Sequence, residues 1–212
     1  MASVLHESLW NDCRDLARAC REHAFVRGLA DGSLPAGIFA RYVAQDAFYL
    51  RAFFRAYALA AARAERIEHL ELFHELLGGS IEEMRMHERN AARLGIDLAT
   101  TAPLAATRRY TEFLLDLAWK QGLPDIIAGM TPCMRLYAYL GRELARDPAP
   151  DLPRSYGEWI GAYAGDSFQL LADRHDVLLD ELASDTPELR ARYRRAMELE
   201  LAFFDAAWHG EG

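Results

Sequence analysis

Nowhere in these 212 residues does an apolar run reach the roughly 18–20 residues of a membrane span, so none is expected. Valine, isoleucine and threonine are sparse, and no stretch alternates apolar and polar residues at period two. That removes the β-sheet classes. Cysteine is scarce. Cys13, Cys20 and Cys133 form an odd set without metal-ligand spacing, and reduced thiols in a cytoplasm suit them best. Positive charge is short as well: the formal net charge is −8, and the arginines are scattered among acids. A duplex-binding protein needs a basic face against phosphates, so nucleic acid is not an expected partner. The N-terminal stretch from Met1 to Trp10 contains His6 and Glu7 and lacks the basic-then-apolar layout of a secretory signal.

What remains is rich in alanine, leucine, glutamate and arginine, a helix-forming composition. Helical periodicity predicts segments over 3–30, 35–64, 67–77, 81–94, 104–120, 124–145, 155–182 and 187–208. Asp31-Gly32-Ser33, Gly78-Gly79-Ser80, Gly95, Asp147-Pro148-Ala149-Pro150 and Ser184-Asp185-Thr186-Pro187 punctuate them. Ser80-Ile81-Glu82-Glu83 has the form of a capping box. No linker is long enough to divide the chain. The expected architecture is all-α, one orthogonal helical bundle over 1–212.

Cys133 lies in Met130-Thr131-Pro132-Cys133-Met134-Arg135-Leu136-Tyr137. If Thr131 caps a helix and Pro132 takes its first position, the thiol sits in the first turn, where the dipole favours a thiolate. If Pro132 instead lies within a continuous buried helix, Cys133 is a small core hydrophobe. Tyr42, Asp46, Tyr49 and Phe53 recur at i, i+4, i+7 and i+11 on one helix face. A buried aspartate needs a partner, which could be Arg51, Arg55 or a bound heteroaromatic amine that also stacks on the rings. Glu200 shares its face with Phe203 and Phe204, so its acid form is favoured; Glu198 points elsewhere, to solvent. Tyr110 and Tyr163 read first as core tyrosines, the latter among small neighbours that admit a close backbone approach. Glu71-Leu72-Phe73-His74 has di-iron spacing but no second copy, since Glu83 to His87 is i+4. It reads as a surface pair, which weakens an oxidase alternative.

Taken in order, these segments resemble the TenA/THI-4 family, the thiaminase II group. Gly32-Ser33-Leu34-Pro35 with Tyr42, Gln45, Asp46, Tyr49 and Leu50 matches the first signature. Pro132, Cys133, Tyr137 and Gly141 match the second, and Tyr156, Trp159, Ile160 and Tyr163, then Glu200, Phe203 and Phe204, match the last two. The resemblance implies a heme-oxygenase-like fold, a homotetramer or homodimer, and a small-molecule pyrimidine substrate with no metal or organic cofactor. It implies Cys133 as nucleophile, Glu200 as acid/base and Asp46 as the carboxylate that binds the ring. Tyr49, Tyr110, Tyr137, Tyr163 and Phe203 would line the pocket. The implied reaction is hydrolysis of an aminomethylpyrimidine or thiamin to hydroxymethylpyrimidine in thiamin salvage. A non-catalytic pyrimidine-binding protein is the other reading. Met134 and Arg135 stand where many members carry aromatics, and Phe204 where a tryptophan is common.

Overall fold

A computed structural model describes residues 4–93, 95–98 and 100–210, without the side chains of Ser80, Met86 and His87. The expected helix ends at Ser3 and Leu94 lie outside the described residues. Among those described, ten α-helices and no strand are found: α1 Leu5–Asp12, α2 Arg14–Glu22, α3 Ala24–Asp31, α4 Ala36–Ala61, α5 Ile67–Arg93, α6 Ala105–Lys120, α7 Leu123–Ala145, α8 Arg154–Ala164, α9 Asp166–Leu182 and α10 Pro187–His209.

Three expectations of the sequence change here. The segment 3–30 is three helices, broken at Cys13 and at His23. The His23 ring caps α3 by accepting from the Phe25 amide at 3.1 Å. The segment 155–182 breaks at Gly165, whose extended backbone (φ −66°, ψ 145°) separates α8 from α9. The break expected at Gly78-Gly79-Ser80 does not occur: α5 runs straight through it. Two glycines cost a helix about 1 kcal/mol each, but Leu72, Phe73 and Leu76 anchor α5 in the core against α4 and override that penalty. The capping box therefore does not form as a helix start, and the Ser80 side chain is outside the described residues. One expected stop holds in detail. Gly32 ends α3 with φ +79°, a left-handed conformation that glycine adopts without strain.

Helices α4 and α7 form the centre. α4 packs on α5, α6, α7 and α10, and α7 on α6, α8, α9 and α10. Their buried faces belong to one continuous apolar core. α10 closes the molecule against the N-terminal helices. Arg190 pairs with Asp12 at 2.5 Å, Arg194 with Asp15 at 2.8 Å and His23 with Asp205 at 3.0 Å, while Arg41 donates to the Ala207 carbonyl at 2.7 Å. α7 and α8 meet at Gly141, where an added Cβ would lie 2.5 Å from the Tyr163 carbonyl carbon. The close approach anticipated near Tyr163 is thus made by the opposite helix; Gly161 has open space around it. No described helix is long and apolar enough to cross a membrane.

Candidate active site

Six helices each send a side chain to one region. α4 gives Asp46 and Tyr49, α5 Glu83, α6 Tyr110, α7 Cys133 and Tyr137, α8 Tyr163, and α10 Glu200 and Phe203. The Tyr42–Asp46–Tyr49–Phe53 face of α4 is buried along its length, as its spacing requires. Arg51 and Arg55 project to solvent, so neither is placed to serve Asp46. Burial raises the Asp46 carboxyl well above its ordinary range, and the nearby charges of Glu83 and Glu200 push the same way. The neighbouring Gln45 has a structural task. Its Oε1 accepts from the Leu104 amide at 2.8 Å and the Thr107 hydroxyl at 2.7 Å, which fixes the start of α6 and hence Tyr110.

Cys133 does not lie in a first turn. α7 starts at Leu123, and Pro132 is inside the helix. Thr131 is no cap: its hydroxyl donates back to the Ile127 carbonyl at 2.8 Å and meets the buried His175 ring at 3.0 Å. The helix dipole thus gives Cys133 no help. Burial drives its thiol well above the usual range, with the Glu200 charge adding to the rise. What the thiol has instead is an acid. Glu200 and the Tyr49 hydroxyl stand beside Cys133, close enough for each to act on its protonation. Glu200 is 2% exposed and also accepts from the Tyr110 hydroxyl at 2.7 Å. Burial raises the Glu200 carboxyl to about 7, while its bonds from Tyr110 and Cys133 hold it down. Glu198 is paired on the surface with Arg195 at 3.1 Å, so the two glutamates diverge as their spacing requires.

The aromatic walls are continuous. Tyr49 and Tyr110 rings lie 4.7 Å apart, Tyr137 and Tyr163 4.8 Å, and Phe203 packs within 6.1 Å of Tyr49. Tyr42 ties the floor together by bonds to Tyr137 at 3.1 Å and Trp159 at 3.3 Å. Tyr156 is structural, donating to the Leu34 carbonyl at 2.7 Å. Phe204 is fully buried and stacks on Phe25. Met134 lines the pocket, whereas Arg135 leaves it to pair with Asp176 and cover the Trp10 ring at 5.5 Å. The substitution at 135 therefore does not touch the site. Glu71 and His74 are both exposed.

Sequence reasoning passed over Glu83. The uninterrupted course of α5 turns it inward, where it accepts from the Tyr163 hydroxyl at 2.5 Å. Burial raises its carboxyl to about 7, against the opposing effect of the Tyr163 bond. The inner pocket, bounded by Asp46, Tyr49, Cys133, Tyr137 and Tyr163, is closed down to about 10 Å³. It adjoins an outer cavity of about 450 Å³ lined by Tyr57, Leu76, Gly79, Ala162 and Leu171. Phe53, Glu83, Met134, Tyr163 and Phe168 border both.

An all-helical bundle of this shape with a central aromatic, acid-rich pocket is a heme-oxygenase-like fold. A domain of that fold from Shewanella denitrificans superimposes with a TM-score of 0.76 over 99% of this chain and 94% of its own, at 15% identity. Residues 10–210 match the TENA/THI-4/PQQC family, and the chain belongs to that family. A TenA homologue from Pyrococcus horikoshii superimposes with a TM-score of 0.90 at 27% identity, covering 98% of this chain and all of the other. The sequence is 33% identical to an aminopyrimidine aminohydrolase of Halalkalibacterium halodurans over 95% of this chain and 94% of the relative. It is 30% identical to one of Bacillus subtilis, over 95% and 90%.

Proposed function

We propose that residues 1–212 act as one TenA-like helical domain that hydrolyses an aminopyrimidine to hydroxymethylpyrimidine in thiamin salvage. The substrate is an aminomethylpyrimidine or thiamin itself. The observation that carries this reading is a thiol beside the buried Glu200 carboxyl, with a second buried carboxyl, Asp46, in the same aromatic pocket. The 33% and 30% identity to aminopyrimidine aminohydrolases over nearly full length supports it.

With its carboxyl at about 7, Glu200 is partly ionised near neutral pH, while burial keeps the Cys133 thiol protonated, so the carboxylate can accept the thiol proton. Glu200 takes the Cys133 proton as the thiolate adds to a ring carbon, and the same proton passes to the ring nitrogen of the adduct. Loss of aromaticity allows the substituent on the methylene carbon to leave with its bonding electrons. Water adds at that carbon, the ring proton returns to Glu200, and Cys133 is expelled and reprotonated. Asp46 binds the ring amino group and nitrogen, and Tyr49, Tyr110, Tyr137, Tyr163 and Phe203 enclose the ring. Entry of a ring requires the flexible Met134 and half-buried Phe168, which border both chambers, to move outward.

The same reading makes the protein a cytoplasmic homotetramer. Its half-buried or buried free thiols and exposed Ile67, Trp119, Leu170 and Val177 support that, and sedimentation of the purified protein tests it. The activity is tested by incubating the protein with thiamin and with the aminomethylpyrimidine, and separating the products. Hydroxymethylpyrimidine formation that is lost in Cys133→Ser is expected. Turnover of neither substrate overturns the reading.

A further inference from the structure

Glu83 occupies a place that the chemistry above leaves without a group. Glu200 is not among the residues bounding the inner pocket; it stands behind Cys133 and Tyr110, and its proton passes between the thiol and the ring nitrogen. Asp46 is at the ring. Glu83 reaches in from α5, and its carboxyl borders both the inner pocket and the outer cavity. A ring held between Asp46 and Cys133 has the outer cavity of about 450 Å³ next to it, with room for its methylene substituent. The groups facing Glu83 are Asp46 from α4, Cys133 from α7, Tyr163 from α8 and, further back, Glu200 from α10. None is a cation. The Tyr163 hydroxyl donates to Glu83 Oε1 at 2.5 Å and so holds the carboxyl at this border.

We propose that Glu83 is a further catalytic residue, the acid that keeps the leaving nitrogen protonated as the C–N bond breaks. The inference rests on the aminohydrolase reading. In the thiolate adduct the C–N electron pair moves to nitrogen, which takes the Glu83 proton and departs as ammonia into the outer cavity. Water from the same cavity then adds to the methylene carbon and returns a proton to the Glu83 carboxylate. The sum is amine plus water to alcohol plus ammonia, with Glu83 unchanged. Its carboxyl, raised to about 7 by burial, is still partly protonated near neutral pH.

Leaving groups differ in their need for this proton. An amine leaves only when protonated. A pyridinium on the same methylene carbon leaves as neutral pyridine and needs none. The test is single-turnover release of ammonia from the aminomethylpyrimidine and of pyridine from the pyridinium analogue. Glu83→Gln should slow ammonia release by roughly a hundredfold or more, the usual share of a general acid, and pyridine release by less than about threefold. Tyr163→Phe, which frees Glu83 without removing it, should slow ammonia release selectively but less, and it carries the same comparison if Glu83→Gln does not fold. Cys133→Ser should abolish both. If the unaltered protein releases both leaving groups and the Glu83 variant slows both equally, or neither, the proposal fails and the aminohydrolase reading stands. If the unaltered protein releases neither, that reading falls and this one with it.

Discussion

Replacing Glu200 by glutamine should separate stability from activity. Burial holds the Glu200 carboxyl at about 7 in the fold, against an ordinary 4.5. A carboxyl with a raised folded value binds its proton more tightly in the native state than in the unfolded chain. Native stability is therefore unpenalised below the unfolded value and declines as pH climbs from 4.5 to about 7. A gap of that size corresponds to at most roughly 3 kcal/mol of destabilisation above neutrality. Glutamine has the same shape, carries no charge and still accepts from Tyr110. At ~2–4 °C per kcal/mol for a chain of this size, Glu200→Gln should melt several degrees above the wild type at pH 8 and close to it at pH 5. Turnover should fall by about 10²–10⁴, with KM little changed, because nothing remains to take the Cys133 proton. Circular-dichroism melts from pH 5 to pH 8, with steady-state kinetics on the same samples, measure both effects. Glu198→Gln, on a surface pair with Arg195, should leave both unmoved. A Glu200→Gln protein that melts lower than wild type at pH 8, or turns over normally, refutes the reasoning.

A small alkylating reagent should label Cys133 before Cys13 or Cys20, and labelling should track loss of activity by mass spectrometry. Cys13 and Cys20 are at most 2% exposed, and burial pushes the Cys13 thiol to about 11 and Cys20 higher still. Asp46→Asn should weaken the aminopyrimidine about tenfold or more by calorimetry, because the raised Asp46 carboxyl can give its proton to the ring nitrogen and then accept a charge-assisted hydrogen bond of roughly 1.5–3 kcal/mol, which asparagine cannot; an unchanged Kd excludes the role. Gly141→Ala should destabilise by about 1–3 kcal/mol in chemical denaturation despite alanine's better helix propensity, because backbone atoms of Tyr163 cannot swing aside. A neutral or stabilising result would show that α7 and α8 separate more readily than their packing implies.

The α4 face was legible because a helix's period is local. Tyr42, Asp46, Tyr49 and Phe53 carry their own register, and Glu200 with Phe203 does the same on α10. Where neighbours decide, sequence reasoning faltered. Gly78 and Gly79 look like a stop, but packing of α5 on α4 carries the helix through. Reading a stop there turned Glu83 into a first-turn charge instead of an inward carboxyl. Thr131-Pro132 has the form of a helix start, yet the Thr131 hydroxyl is occupied within α7 and by His175 from α9. The acid beside Cys133 could not be seen from α7 at all, since it arrives from α10. The departures at Arg135 and Phe204 resolve the same way: one points to Asp176 and the other into the core.

The clasp of α10 on the first three helices has a consequence for biosynthesis. Glu200 and Phe203 leave the ribosome after every other side chain of the pocket. A nascent chain that has emerged as far as α9 already carries Cys133, Asp46 and Glu83 but lacks Glu200, the proposed acceptor of the thiol proton. On the proposed mechanism turnover begins only when α10 is seated by Arg190, Arg194 and Asp205 on Asp12, Asp15 and His23. Appearance of activity during refolding is thus a clock for that one docking event, read without any label, and charge reversal at Asp12 or Asp15 should delay it while leaving α1 to α9 formed.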